Sequence, residues 1–291
     1  LSVPEHILKK VKLIEIKTRK VVNNLFVGEY HSAFKGQGMT FSEFREYVPG
    51  DDVRSISWTV TARTGKPYIK KYDEEREMNV VLAVDVSGSQ QAGSTEDLKG
   101  EISAHLSALL GFSAAQNKDA VCLYLFSDQP EHYVPAKKGK GQIHRLLRDL
   151  YYFEPQSKKT SLESSLEYLR GVLKKKAHIF LISDFQDQNF ENSLSRLSRK
   201  HDVVAVWIVD PFEVKMPKMG LVDFECPETG QILTVDTSSA IFQKEYRAVY
   251  ERSLKETKQK LVQSRVDLIE VDTSKDIVMP LLKYFRMRSA R

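Results

Sequence analysis

From about residue 79 the chain alternates short apolar runs with longer amphipathic segments, and few folds accommodate that alternation. The apolar runs fall at 79–85, 120–126, 178–183, 203–209 and 266–271. They are short and rich in Val, Ile, Leu and Phe, which reads as parallel strands covered on both faces. The amphipathic segments at 96–117, 160–174, 188–199 and 240–262 are predicted helices. Together they predict an α/β domain whose parallel sheet has helices on both faces. Glu131–Val134 reads as a short edge strand hairpinned to the strand before it. An exposed Lys- and Gly-rich loop then leads into a helix at 142–150, and the last helix, 276–288, ends in a frayed, Arg-rich terminus.

One insertion interrupts this pattern. Asp210-Pro211 closes a strand, and the runs 221–224 and 231–235 flank Pro227-Glu228-Thr229-Gly230. That spacing predicts a β-hairpin near 221–235, read equally as a partner-docking element or as cover for a sheet edge. Residues 1–78 differ in character. Apolar positions at Ile7, Leu8, Val11, Ile14, Val21 and Val22 predict a helix over 4–24. Glycines, aromatics and the β-type runs Ile56–Val60 and Tyr68–Tyr72 then predict a small β module with turns. The expected organisation is therefore an N-terminal helix/β module over 1–78 and an α/β domain over 79–291.

A net charge of +5, spread over mixed-sign surfaces, gives no argument for nucleic acid, even with Lys137, Lys138 and Lys140 close together. The two cysteines, Cys122 and Cys226, have no metal-site spacing and no disulfide framework. No stretch approaches the roughly 20 apolar residues of a membrane span. These features lead to an expected cytoplasmic location. Leu1 stands where an initiating Met would, which is consistent with removal of an upstream segment.

The chemistry-bearing positions cluster at predicted strand ends. Asp85-Val86-Ser87-Gly88-Ser89 follows the first apolar run, so one carboxylate and two hydroxyls leave a central strand together. An all-oxygen set suits a hard cation such as Mg²⁺ rather than zinc or copper. Asp184 directly follows the apolar run 178–183, and in an open α/β sheet ligands bind beyond the carboxyl ends of strands. Thr160 precedes a predicted helix; taken alone it reads as an N-cap, with Glu163 completing a capping box.

Taken together, Asp85, Ser87, Ser89, Thr160 and Asp184 resemble the metal-ion-dependent adhesion site of von Willebrand factor A domains, over about residues 78–288. The resemblance implies six strands, five parallel and one antiparallel. It also implies that the hydroxyls bind the cation and that the aspartates bind it directly or through water. Mg²⁺ is the implied ion, with Mn²⁺ or Ca²⁺ as substitutes, and its open position would take a carboxylate from a protein partner. A second resemblance spans 36–77. Gly36-Gln37-Gly38-Met39-Thr40-Phe41-Ser42-Glu43-Phe44-Arg45-Glu46-Tyr47-Val48-Pro49-Gly50-Asp51-Asp52-Val53-Arg54-Ser55-Ile56-Ser57-Trp58 is similar to the signature of an uncharacterised bacterial family, domain of unknown function 58. Ser57 departs from it, because the family usually has Asp before the Trp. Members join this segment to a von Willebrand A domain and are commonly encoded beside MoxR-type AAA+ ATPases. That implies a non-enzymatic adaptor or chaperone-like helper linking an ATPase to a client. The chain itself has no GxxxxGK[ST] phosphate loop. The competing reading is a Mg²⁺-dependent phosphohydrolase of haloacid-dehalogenase-like logic with Asp85 as nucleophile. Such an enzyme needs a second Asp two residues on, where this chain has Ser87.

Overall fold

The computed structural model describes residues 24–34, 40–73, 78–95, 97–226 and 229–290, with Lys12, Leu13, Ile16 and Thr18 before them. The apolar positions that predict a helix over 4–24 lie outside the described residues, as do Gly36–Met39 and Glu74–Arg76 of the family signature. The first continuous element is helix α1 (Asn24–Ala33). By its contacts α1 belongs with residues 78 onward, while 34–77 form a second compact unit.

In the smaller unit, strands β1 (Thr40–Glu46) and β2 (Tyr68–Asp73) pair antiparallel, with a register shift between Phe41 and Glu43. The β run expected at Ile56–Val60 is not a strand. Ile56 makes one isolated bridge to Ile69, and helix α2 (Trp58–Thr64) follows. The Ser57 carbonyl accepts the N–H groups of Val60 and Thr61 at 3.1 and 3.0 Å, and Gly65 closes the helix in the left-handed region at φ 73°. These end signals override the strand preference of Ile, Val and Thr. Ion pairs join oppositely charged side chains across this unit. Arg45 donates to both oxygens of Asp51 at 2.7 and 2.9 Å, Arg54 pairs with Asp52 at 3.3 Å and Lys66 with Glu46 at 3.0 Å.

The larger unit is built on a six-stranded sheet. Strands β3 (Asn79–Asp85), β4 (Ala120–Phe126), β5 (Pro130–Lys137), β6 (Ala177–Ser183), β7 (Asp202–Val209) and β10 (Asp267–Asp272) lie in the order β10-β7-β6-β3-β4-β5. All neighbours are parallel except β4 and β5, so the sheet has the five-plus-one composition that the von Willebrand A resemblance implies. The short hairpin β8 (Leu221–Glu225) and β9 (Ile232–Asp236) forms a sheet of its own, separate from the six strands.

Helices α3 (Lys99–Gln116), α4 (Lys140–Tyr152), α5 (Leu162–Val172), α6 (Glu191–Ser198), α7 (Ala240–Gln263) and α8 (Val278–Ser289) follow the expected segments within a few residues. Central strand residues such as Val80, Val81, Val84, Leu181 and Ile182 are fully buried, which accounts for the unbroken apolar runs. Helix α8 is anchored rather than frayed. Phe26 and Tyr30 of α1 meet Phe285 edge-on at 5.5 and 5.6 Å, and Arg286 pairs with Glu29 at 2.9 Å.

This topology positions the site. The chain runs from β3 to β4 on one side, then returns to β6 on the other side of β3. The strand order therefore reverses between β3 and β6, and the crevice beyond their carboxyl ends is the switch point where α/β sheets bind ligands. Val84 pairs with Ile182, so the last residues of both strands open side by side into that crevice.

Candidate metal centre

Asp85 ends β3 at 1% exposure. Its Oδ1 accepts the Ser87 N–H at 2.9 Å and its Oδ2 accepts the Ser183 hydroxyl at 2.8 Å. Ser87 is buried, Ser89 half-buried, and their hydroxyl oxygens lie 3.2 Å apart. Burial first, and then the charge of Asp184, push the Asp85 pKa up to about 7 against the hydrogen bonds from Ser87 and Ser183. The site thus holds two carboxylates in low dielectric, an arrangement that favours a bound cation or proton.

The loop before α5 is tied by its backbone to the ends of β3 and β4. The Gly88 N–H donates to the Lys158 carbonyl at 2.8 Å, and the Ser161 N–H donates to the Ser127 carbonyl at 3.2 Å. Thr160, between those two anchors, is half-buried. It is not the N-cap: Ser161 occupies that position, and its hydroxyl accepts the Ser164 N–H. The capping reading of Thr160 is corrected by one residue.

Asp184 is buried beside Ser183, and the residue after it carries strain. Phe185 is a bulky, buried side chain at φ 52°, held there by its N–H to the Ser183 hydroxyl at 3.1 Å. Asp184 Oδ2 accepts from Lys99 Nζ at 2.9 Å. The same ammonium contacts Glu213 Oε1, which also accepts from Gln186 Nε2 at 2.8 Å. Lys99 is 2% exposed.

Sequence reasoning named Asp85, Ser87, Ser89, Thr160 and Asp184 as candidates; it did not name Ser183, which donates to Asp85, or Lys99 and Glu213, which pair beside Asp184. Ser183 was visible as the last residue of its apolar run. Nothing in the sequence tied Lys99 or Glu213 to Asp184, because only the packing of α3 and of the one-turn helix Pro211–Val214 against the β6 end brings them there.

An Mg²⁺ octahedron with bonds of roughly 2.1 Å has adjacent vertices about 3.0 Å apart. The two serine hydroxyls, at 3.2 Å, already match that edge. Asp85 keeps lone pairs beyond its two hydrogen bonds, so the donor set fits a hard divalent cation. Among the described residues no three His, Cys, Asp or Glu side chains gather as a metal cluster, so such a site draws its remaining ligands from hydroxyls and water. A cleft of about 200 Å³ reaches Asp85 beside Gln90, Glu101 and Tyr151. A larger one, about 450 Å³, lies against Asp184, Glu213, Trp207, Tyr246 and Tyr250.

Comparison with known proteins places these residues in context. The profile of a family described as "Protein of unknown function DUF58" matches residues 43–259. The uncharacterized protein Rv1480 of Mycobacterium tuberculosis is 26% identical over 225 residues, 76% of this chain and 71% of that protein. Among solved structures, an aerotolerance-related membrane protein from Bacteroides fragilis is 13% identical, with a TM-score of 0.47 over 73% of this chain and 98% of its own. The SpRpn10 VWA domain is 9% identical, with a TM-score of 0.39 over 72% of this chain and 95% of its own. Likenesses at this level carry no argument about residues or activity. The expected cytoplasmic location is withdrawn: two cysteines without a disulfide framework do not fix a compartment, and a similar structure is described as that of a membrane protein. Among the described residues no helix is long and apolar enough to cross a membrane.

Proposed function

The chain belongs to the DUF58 family, whose function is unknown, and we propose that it is a protein-interaction module that docks its partner through a divalent cation at the β3–β6 crevice. The observation that carries this reading is the pair of serine hydroxyls, 3.2 Å apart, at the mouth of a crevice floored by the buried Asp85. Ser87, Ser89, Thr160 and Asp85 would hold Mg²⁺, with Asp184 acting through water because its Oδ2 is taken by Lys99. A bound ion would supply positive charge at the rim. With one carboxylate in direct contact it keeps net charge, so a carboxylate from a partner binds there reversibly.

Docking is favoured over phosphoryl transfer. The cleft at Asp85 falls below the roughly 300 Å³ of ordinary small-molecule sites, and Ser87 cannot replace a carboxylic acid as proton donor. The partner class that the family resemblance implies is a MoxR-type AAA+ ATPase, with this chain as adaptor toward a client protein.

Two measurements test the reading. Wild-type protein should bind Mn²⁺ in a spectroscopic titration and retain a purified MoxR-type ATPase or client in Mg²⁺ but not in EDTA. Asp85→Ala should lose both properties while its circular dichroism stays that of a folded protein, although the two lost buried hydrogen bonds lower its melting temperature. Equal retention by wild type in EDTA and by Asp85→Ala would refute the metal-dependent mode.

A further inference from the structure

Lys99 is the only buried Lys or Arg side chain among the described residues. It sits in the first turn of the 18-residue helix α3, where a cation opposes the helix dipole, so helix stability does not account for it. Taking an ammonium out of water is costly unless it is paired. Its pairing is with two carboxylates from different elements, Asp184 at the end of β6 and Glu213 in the turn after β7. Neither carboxylate belongs to α3, and Asp184 is the residue that faces Asp85 across the crevice.

We propose that Lys99 is a tethered cation that competes with the divalent ion for Asp184 and so keeps the site's metal affinity low. This rests on the metal-docking reading above and adds a determinant to it. The fixed charge lies 2.9 Å from one oxygen of Asp184, so a second cation in the crevice meets a carboxylate already half-neutralised and meets repulsion from the ammonium itself. Glu213 is what makes the competition adjustable. It offers Lys99 a second anchor, so the ammonium can lean away from Asp184 without being left buried and alone. Gln186, which donates to Glu213 at 2.8 Å, ties this anchor to the segment that follows Asp184. Glu213 also lines the 450 Å³ cleft with Tyr246 and Tyr250, so the Lys99 partner exchange connects the metal crevice with that cleft.

Two variants move the affinity in opposite directions. Lys99→Met keeps the length of the side chain and removes its charge. Glu213→Gln keeps the Lys99 ammonium but replaces its second carboxylate partner by a neutral amide, leaving Lys99 to Asp184. A single charge this close shifts proton affinity by about one to three powers of ten, and a divalent ion feels at least as much. Mn²⁺ binding to the full chain, followed by electron paramagnetic resonance, should therefore tighten at least about tenfold in Lys99→Met and weaken in Glu213→Gln. Unchanged or weaker Mn²⁺ binding in Lys99→Met would overturn the proposal. If that variant does not fold, tighter or unchanged binding in Glu213→Gln overturns it instead. Asp85→Ala separates the two ideas: if it abolishes binding in every background while Lys99→Met fails to tighten, the competition is wrong and the metal site stands. If it leaves Mn²⁺ binding intact, the metal site itself is wrong.

Discussion

At the scale of the residue, the most exacting position is Ser183. Its single hydroxyl donates to Asp85 Oδ2 at 2.8 Å and accepts the Phe185 N–H at 3.1 Å, entirely out of solvent. One side chain therefore orients the carboxylate at the floor of the site and holds the strained backbone of Phe185, a conformation that costs on the order of 1–2 kcal/mol. Ser183→Ala removes both bonds and leaves a buried N–H and a buried carboxylate oxygen short of partners. The expected loss of stability is roughly 1–3 kcal/mol, seen as a lower urea midpoint with an unchanged slope. An unchanged midpoint would mean that water replaces the hydroxyl. Legibility follows the same line. Asp85, Ser87 and Ser89 stood out as candidates because they are neighbours in sequence at the end of an apolar run, and Asp184 because it directly follows another. Ser183 was in view as the end of its run, but its bond to Asp85, and the places of Lys99 and Glu213 beside Asp184, followed only once β6 was laid against β3 and the elements beyond it were packed.

At the scale of the element, the site depends on how α3 meets the turn Gly88–Gln91. A Cβ on Gly100 would stand 3.2 Å from the backbone carbonyl oxygen of Gln90, closer than such contacts usually come, and backbone cannot swing aside as a side chain tip can. Gly100→Ala gains about 1 kcal/mol of helix preference and loses it again by pushing that turn, which carries Ser89 away from Ser87. On the proposed reading, Mn²⁺ affinity falls severalfold while helical circular dichroism is unchanged. A variant that is more stable by about 1 kcal/mol, with Mn²⁺ affinity intact, would show that the turn yields without disturbing the site. The elements themselves were largely legible. Strands buried on both faces write themselves as apolar runs, and the edge strand and the hairpin showed through their turns. The failure at Ile56–Val60 has a local cause: β-branched residues suggested a strand, while Ser57 and Gly65 supplied the ends of a helix. Helix α1 was missed because its buried face, Phe26 and Tyr30, is matched to α8 at the far end of the chain.

At the scale of the whole molecule, one carboxylate gathers distant parts of the chain. Asp202, at the start of β7, lies 2.6 Å from Nδ1 of His178 on β6 and accepts from Arg288 of α8 at 3.1 Å. Arg288 in turn donates to the Ala33 carbonyl of α1 at 3.0 Å and lies 3.6 Å from Asp267 on β10. Burial pushes Asp202 up, but the hydrogen bonds from His178 and Arg288 outweigh it and bring its pKa down to about 2. A carboxyl whose folded pKa lies below its unfolded value of about 3.9 adds stability that is complete above that value and is lost as pH falls through the folded one. The window is therefore about pH 4 down to pH 2, and the full shift corresponds to roughly 2.5 kcal/mol. Asp202→Asn should be less stable than wild type at pH 7, where it leaves Arg288 without its closest carboxylate. The gap should narrow by about 2 kcal/mol between pH 4 and pH 2, because wild type then loses by protonation what the variant lost by substitution. Urea midpoints of both proteins across that range measure it. A gap that stays constant down to pH 2 would mean that Asp202 is not the group whose protonation loosens the junction of α1, α8 and the sheet edge.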